Sequence, residues 1–354
     1  VGLLYLSPMG RTTVLCAAVG LGWILSTSTR SLILRAMKIR HLDEALARFL
    51  SAIVQYLVLA AAVIAALGKV GVESTSLVAI LGAAGLIVIV GLATWRSVDH
   101  RADQVAWERL AAWPAGQTRT FDAAMTAGLP EPAQRYFNFT IARGTPLYTA
   151  MEIDMTGEIG LGTKAAPGYR GMEARQILAP PYGLVWKLKT GPISGADGAL
   201  PDKSWTRFWL FGLIPVVRVD SLDHHRSAFG RVVAEGAFWA PASLLPCEFV
   251  SWEPIDENSA RAIVTFGNFE QAVDVTVNEA GAPIRVVIQR WSNANADQVY
   301  REQPFGGYLS EFHEFGGYRL PTRVEGGNLI GTPDYFPFFK ADVTAIRFPQ
   351  RGSP

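Results

Sequence analysis

The sequence predicts an α+β protein: N-terminal transmembrane helices, then a mainly antiparallel β domain, a curved sheet or half-barrel with one or two covering helices. Three observations lead there. Ser76–Trp95 lies in an uncharged run between Glu73 and Arg96. As a helix rising about 1.5 Å per residue, such a run crosses a hydrocarbon core of about 30 Å. A second uncharged run, Phe49–Leu67, lies between Arg48 and Lys69. From Pro146 onward, apolar residues alternate at period two between turns rich in Gly and Pro, the pattern of half-buried strands.

Each element follows in order. Thr12–Thr29 carries no charge and is read as a first span, although its strongly apolar part is only Val14–Leu25. The loop before the second span holds Arg30, Arg35, Lys38, Arg40 and Arg48, whereas the turn after it holds only Lys69, balanced by Glu73. Arg96, Arg101 and Arg109 follow the third span. The positive-inside rule therefore places the first loop and everything after Trp95 in the cytoplasm of a multi-pass inner-membrane protein. No cleavage site follows the first apolar stretch, so a removable leader is not expected. Because the sequence opens on Val1, it is expected to continue upstream. Residues 1–96 thus form the membrane part, 97–119 a linker helix, and 120–354 the β-rich domain. In the linker, Val98, Val105, Trp107 and Leu110 mark the apolar side of a helix leaving along the interface, with Trp95, Trp107 and Trp113 as anchors and Pro114 and Gly116 as its stop.

Within the β-rich part, Met151, Ile153 and Met155 share one face of a strand. Val273–Val277 and Ile284–Ile288 form a hairpin around the turn at Asn278–Pro283, and Arg261–Phe266, Gly307–Phe315 and Tyr318–Asn328 are further strands. Phe229, Val232, Val233 and Ala237 are spaced for a helix over Ser227–Phe238, ended by Pro241. The repeats Phe305–Tyr308 and Phe315–Tyr318, both Phe-Gly-Gly-Tyr, read as hairpin turns.

Composition excludes several functions. Thirty-two basic residues against 31 acidic ones give no field for holding nucleic acid. Cys16 and Cys247 are too few for a disulfide framework, lack metal-ligand spacing and are expected as buried free thiols. No metal or other cofactor is expected. Asp220, Asp223, His224 and His225 are ligand types, but their spacing fits no defined site and reads as a solvated loop. Glu311 and His313, two apart on a strand, are the candidate acid–base pair of an enzyme alternative, with a surface pair as the plainer reading.

Two resemblances extend these readings. The runs Arg48–Val54, Ala66–Val72 and Leu81–Leu86 resemble the membrane helices of the small-conductance mechanosensitive channel family over about residues 15–86. That resemblance implies a homo-oligomer in which Gly82, Ala83, Ala84 and Gly85 let neighbouring helices approach, and it supplies a channel-like alternative. From Leu86 the chain departs from that family. Leu129–Pro132, Ala174–Gln176 with Pro180–Trp186, Leu210–Pro215, Glu235–Pro246 and Gly316–Arg323 resemble a bacterial family known as a domain of unknown function, of the 6544/6920 type. It implies one hydrophobic anchor before the domain and no particular activity.

The leading functional reading is a membrane-tethered β domain whose partners are the lipid bilayer and an apolar or lipid-like molecule. Its candidate ligand-lining residues are Trp186, Trp209, Trp239, Trp252, Trp291, Tyr308 and His313; the alternative is that these rings fill an ordinary core.

Overall fold

The computed structural model describes residues 16–17, 20–31, 44–69, 75–113 and 119–349. The chain divides into two compact units, Val1–Gly91 and Leu92–Pro354. In the first, residues 20–31 are helical. The rest of the first apolar segment (apart from 16–17), most of the basic loop, the turn at 70–74 and the stop at Pro114 and Gly116 lie outside the described residues. Helix α1 (Glu44–Lys69) and helix α2 (Thr75–Ala111) are long and apolar enough to cross a membrane, within Ser51–Gly68 and Val78–Ala111. An added Cβ at Gly22 would come within 2.4 Å of Ala62 Cβ, the close helix approach that small residues permit. Gly82 and Gly85 meet nothing within 4 Å.

The second unit is built on one antiparallel sheet of 13 strands. Strands β1 (Met151–Gly160), β2 (Tyr169–Ala179), β3 (Gly183–Thr190), β4 (Ile193–Leu200), β5 (Lys203–Leu210) and β6 (Ile214–Val219) run as consecutive hairpins. So do β7 (Val250–Pro254), β8 (Ser259–Phe266), β9 (Phe269–Val277), β10 (Pro283–Ser292), β11 (Arg301–Phe315), β12 (Tyr318–Asn328) and β13 (Phe336–Arg347). A seam between β1 and β13 joins the two meanders, which leaves β6 and β7 as edges. Helix α3 (Glu131–Thr140) packs on β8, β9 and β12, and helix α4 (Leu222–Trp239) connects the two edge strands.

Helix α4 packs against β2–β5 and also against β9, β10 and β12. In the sheet order β5 and β10 stand eight positions apart, about 38 Å in a flat sheet at about 4.8 Å per strand. A helix only about 10–12 Å across cannot span that distance. The sheet therefore curls around α4 as an open half-barrel. Inside, Met151, Ile153, Val273, Val275, Leu309 and Leu320 meet Val232, Val233 and Ala237 of α4 in one core. Tyr136 of α3, fully buried, donates its hydroxyl to the Ala237 carbonyl at 2.8 Å.

The expected linker behaves differently. Residues 97–111 continue α2 without a break, and their inward side is not the one marked by Val98 and Val105, which are 61% and 58% exposed. Trp95, Asp99, Asp103 and Trp107 recur every fourth residue, so they form one stripe along the helix, and it is laid on the outer face of the sheet. Asp99 accepts both terminal nitrogens of Arg218 at 2.6 and 3.2 Å, and Asp103 accepts the Trp205 indole at 2.8 Å. Trp107, read as an interfacial anchor, is instead a core residue with Ala106, Leu110, Ile177, Val185 and Trp205, its indole bonded to Glu152 at 3.0 Å. Strands β2 and β3 are covered on both sides, so their hydrophobic runs Ile177–Ala179 and Leu184–Trp186 are continuous.

Two further expectations are corrected. Phe315–Tyr318 is a hairpin turn, but Phe305–Tyr308 lies inside β11, where Gly307 is fixed by its neighbour: an added Cβ would stand 1.8 Å from the Glu325 carbonyl oxygen. Cys16 and Cys247 are free but exposed rather than buried, Cys247 because it sits in an isolated bridge to Val250 just before β7.

The α2 stripe predicts that a chain beginning at Thr120 is less stable to urea than one beginning at Leu92, by at least about 3 kcal/mol, since Trp107 and Leu110 leave a core. Equal stability would show that the helix end is not part of this fold.

Candidate functional site

The curl is wider than one helix can fill. Beneath α4 a cavity of about 410 Å³ remains. Its floor is a single register row: Val286 of β10 pairs with Gly307 of β11, Gly307 with Gly326 of β12, Gly326 with Phe339 of β13, and Phe339 with Ile159 of β1. All five line the cavity. Gly326 shares the inward face of Val324, and a Cβ there would meet nothing closer than 3.7 Å. The floor is hollow because two paired residues carry no side chain. Walls come from Trp186, Leu188 and Phe208 on one arm and from Ala234, Phe238 and Trp239 of α4. Leu161, Val216 and Val217 also line it and are 41–50% exposed, which puts an apolar mouth at the β6 edge.

One end of the cavity is polar. Gln176, Trp186, Asp197 and Thr206 form a register row across β2–β5. Helix α4 presents Arg231 and Glu235, one turn apart, to that row. Arg231 binds Glu235 and, at 3.2 Å, Asp197; Gln176 donates to the other oxygen of Glu235. Although burial works against its charge, the two carboxylates hold the Arg231 guanidinium above its ordinary value. Thr206 donates to Asp197 at 2.6 Å, so its oxygen is left to accept from Nε2–H of His224 at 2.9 Å. Nδ1 of His224 lies 2.7 Å from the Ser204 hydroxyl, from which it accepts in the neutral ring that burial favours. Burial pushes His224 below the ordinary imidazole value; Arg290, His225 and Arg231 add to this and Asp197 opposes it.

Beyond this cluster a second, more polar chamber of about 430 Å³ is lined by Ser227, Ser292, Asn293, Tyr300 and Asn328. Arg290 lines both chambers. Its Nε donates to the Ser227 hydroxyl at 3.0 Å and its guanidinium lies over the Phe305 ring at 4.5 Å.

The candidate residues named from sequence are distributed unevenly. Trp186 and Trp239 line the apolar cavity. Trp209 is fully buried but faces the other side of β5, edge-on to Trp95 at 5.5 Å. Trp252 packs on Tyr136 and Phe137 under α3 and donates to the Leu244 carbonyl. Trp291 lies on the outside beneath Arg226, bonded to Asp223 at 2.7 Å. Tyr308 is 48% exposed beside Tyr335, and His313 is exposed. Period two explains the division: neighbours of inward residues on the same strand face out.

The aspartate–histidine cluster is not a solvated loop. Ser221 caps α4 by accepting from the His224 amide, so the helix starts at Leu222, five residues earlier than expected. His225 contacts the Leu200 carbonyl at 2.9 Å. Among the described residues no three His, Cys, Asp or Glu side chains gather as metal ligands. Glu311 and His313 do not pair. Glu311 bulges out of register with φ 56° and binds Arg323. Arg231, Glu235 and Arg290 were missed because single charges inside an apolar pattern read as the exposed side of an element. The four-residue spacing of Arg231 and Glu235 was the available signal.

Residues 119–341 match the model of a family described as "Family of unknown function (DUF6544)". The N-terminal part is similar to uncharacterized MscS family proteins of Buchnera aphidicola: 46% identical over 63 residues in the strains from Schizaphis graminum and Acyrthosiphon pisum, and 38% over 82 residues in that from Baizongia pistaciae. These matches cover 18%, 18% and 23% of the chain, and the chain spans only 22%, 20% and 28% of those relatives. Among solved structures, a proposed outer membrane lipoprotein-sorting protein domain from Vibrio parahaemolyticus aligns over 58% of this chain and 87% of its own. At 10% identity and a TM-score of 0.32 it has no bearing on function.

Two outcomes follow from the polar cluster. Arg231→Met strands two partly buried carboxylates and is expected to cost about 1–3 kcal/mol by chemical denaturation. Since His224 is neutral in the fold and its value is lowered there, the unfolded chain takes up the proton first. Stability should be full above about pH 6.5 and decline as pH falls below it; His224→Gln should flatten that decline in a pH series of melting curves.

Proposed function

The chain belongs to the DUF6544 family, and we propose that it is a membrane-tethered binding module whose half-barrel holds an apolar, lipid-like molecule under α4. The cavity carries this reading. A dry void of 410 Å³ would cost on the order of 10 kcal/mol at about 24 cal/mol per Å³, as much as the whole stability of a typical domain. The mouth at the β6 edge lets the space fill, and walls of Trp186, Leu188, Phe208, Phe238 and Trp239 favour an apolar occupant over water. At about 30 Å³ per water-sized group the space takes on the order of a dozen such groups, the scale of one acyl chain. The apolar mouth and the membrane-capable helices of the same chain supply a source for it.

Native mass spectrometry of the full chain, released from micelles, tests this. Wild type is expected to carry an apolar small molecule. Gly326→Leu, which adds a side chain over the floor without its Cβ striking backbone, should lose it while keeping the wild-type circular dichroism spectrum. A wild type that carries nothing, or a variant that keeps the same molecule, would overturn the reading.

The half-barrel faces the cytoplasm in this proposal, supported by Arg96, Arg101 and Arg109 after the third apolar segment. With Cys16→Ser, exposed Cys247 becomes the single thiol. It should resist a membrane-impermeant maleimide in intact cells and react after permeabilisation; labelling in intact cells would place the domain outside.

A further inference from the structure

We propose that the bound molecule is a single-chain amphiphile ending in an anionic group, a carboxylate or a phosphate, whose oxygens pair with the two terminal nitrogens of Arg290 where the apolar and polar chambers meet. This rests on the cavity reading above and names the head group that the cavity selects.

Two groups lining this region have unused donors: the buried Trp186 indole N–H, which has no hydrogen-bond partner, and Arg290, the charged one of the two. Its Nε is used by Ser227, through the hydroxyl and the carbonyl. Among the described residues no hydrogen bond or ion pair reaches the terminal nitrogens. The two nearby carboxylates are committed elsewhere: Asp197 to Arg231 and Thr206, Glu235 to Arg231 and Gln176. Burial and the neighbouring Arg231 pull the Arg290 guanidinium down to about 10, so it stays charged at neutral pH in surroundings that disfavour the charge. The planar fork of an arginine matches two oxygens of one carboxylate or phosphate, and charge-assisted pairs of this kind are about twice as strong as neutral ones. Position completes the case. Phe305, on which the guanidinium stacks, lines the apolar chamber, while Ser292, Asn293 and Tyr300 line the polar one. An alkyl chain in the first chamber would bring its head to Arg290, with the second chamber open to whatever the head carries.

The full chain in phosphatidylcholine nanodiscs, loaded with a neutral fluorescent alkyl probe, is titrated with hexadecanoic acid, hexadecyl phosphate and hexadecanol against empty discs. Both acids, or one of them, should displace the probe from wild type at least about tenfold more readily than the alcohol. The stronger acid tells a fatty carboxylate from a phospholipid-type head. Arg290→Gln should bring the acids down to the alcohol, leave alcohol binding intact, and melt at the same temperature as wild type or higher, because it removes a partly buried charge that lacks an ion partner among the described residues. Arg290→Lys keeps the charge without the fork and should retain part of the preference. If wild type binds the alcohol as well as the acids, or Arg290→Gln keeps the preference, the anionic head is wrong and the apolar cavity stands. Displacement by none of the three beyond empty discs would remove both.

Discussion

A single helix laid inside a 13-stranded curl is the constraint from which the rest follows. Strands on both sides must reach α4 to bury their inner residues, so the sheet bends around it. One helix cannot fill what that bend encloses. The remaining space must be filled by long side chains or left to something else. At the register row through Gly307 and Gly326 the sequence supplies none. Elsewhere the same interior is closely packed, with Tyr136, Tyr318, Met151 and Ile153 fully buried. The hollow is thus local, and it coincides with the polar row of β2–β5 rather than with a general looseness of packing.

Both long helices of the half-barrel meet the sheet through paired charge, buried on the outer face and partly buried on the inner one. On the outer face, Asp99 and Asp103 of α2, 4% and 3% exposed, lie against Arg218, Arg207 and Trp205. On the inner face, Arg231 and Glu235 of α4 lie against Asp197 and Gln176. Such groups add little net stability compared with apolar side chains of similar size, but they penalise any other placement of the helix, because a one-residue slip would leave a charge buried without its partner. They fix register. That matters here because β2 and β3, covered on both faces by these helices, have continuous hydrophobic runs that do not themselves distinguish one register from the next.

Much of the architecture was legible in the sequence. Tyr318–Asn328 as a strand, the hairpin of Val273–Val277 with Ile284–Ile288, and a helix ending near Pro241 follow from period, Gly and Pro, and the structure has each of them. Two of the seven ligand-lining candidates, Trp186 and Trp239, reach the cavity. Aromatic identity says that a residue is buried or half-buried, but which face it occupies depends on strand register, and that depends on partners far along the chain. Asp99, Asp103, Arg231 and Arg290 were illegible for a related reason. Hydropathy scores a paired buried charge as an exposed one, so the true inward stripe of α2 looked like its solvent side. The early start of α4 was within reach: Ser221, three residues before His224, is an ordinary capping position.

The seam between β1 and β13 has a consequence for how this fold is reached. Within each meander, strands close with their sequence neighbours, whereas the Asp154–Arg347 pair across the seam links residues 193 apart. Contacts of such separation must wait until the intervening chain has already been shortened by local hairpins, so the halves form first and the seam zips afterwards. Until it does, the inner edges of β1 and β13 present unpaired backbone amides and carbonyls. During synthesis this interval lasts until the final strand emerges, which makes β1 the segment that waits longest for its partner and the one most open to mispairing with another copy.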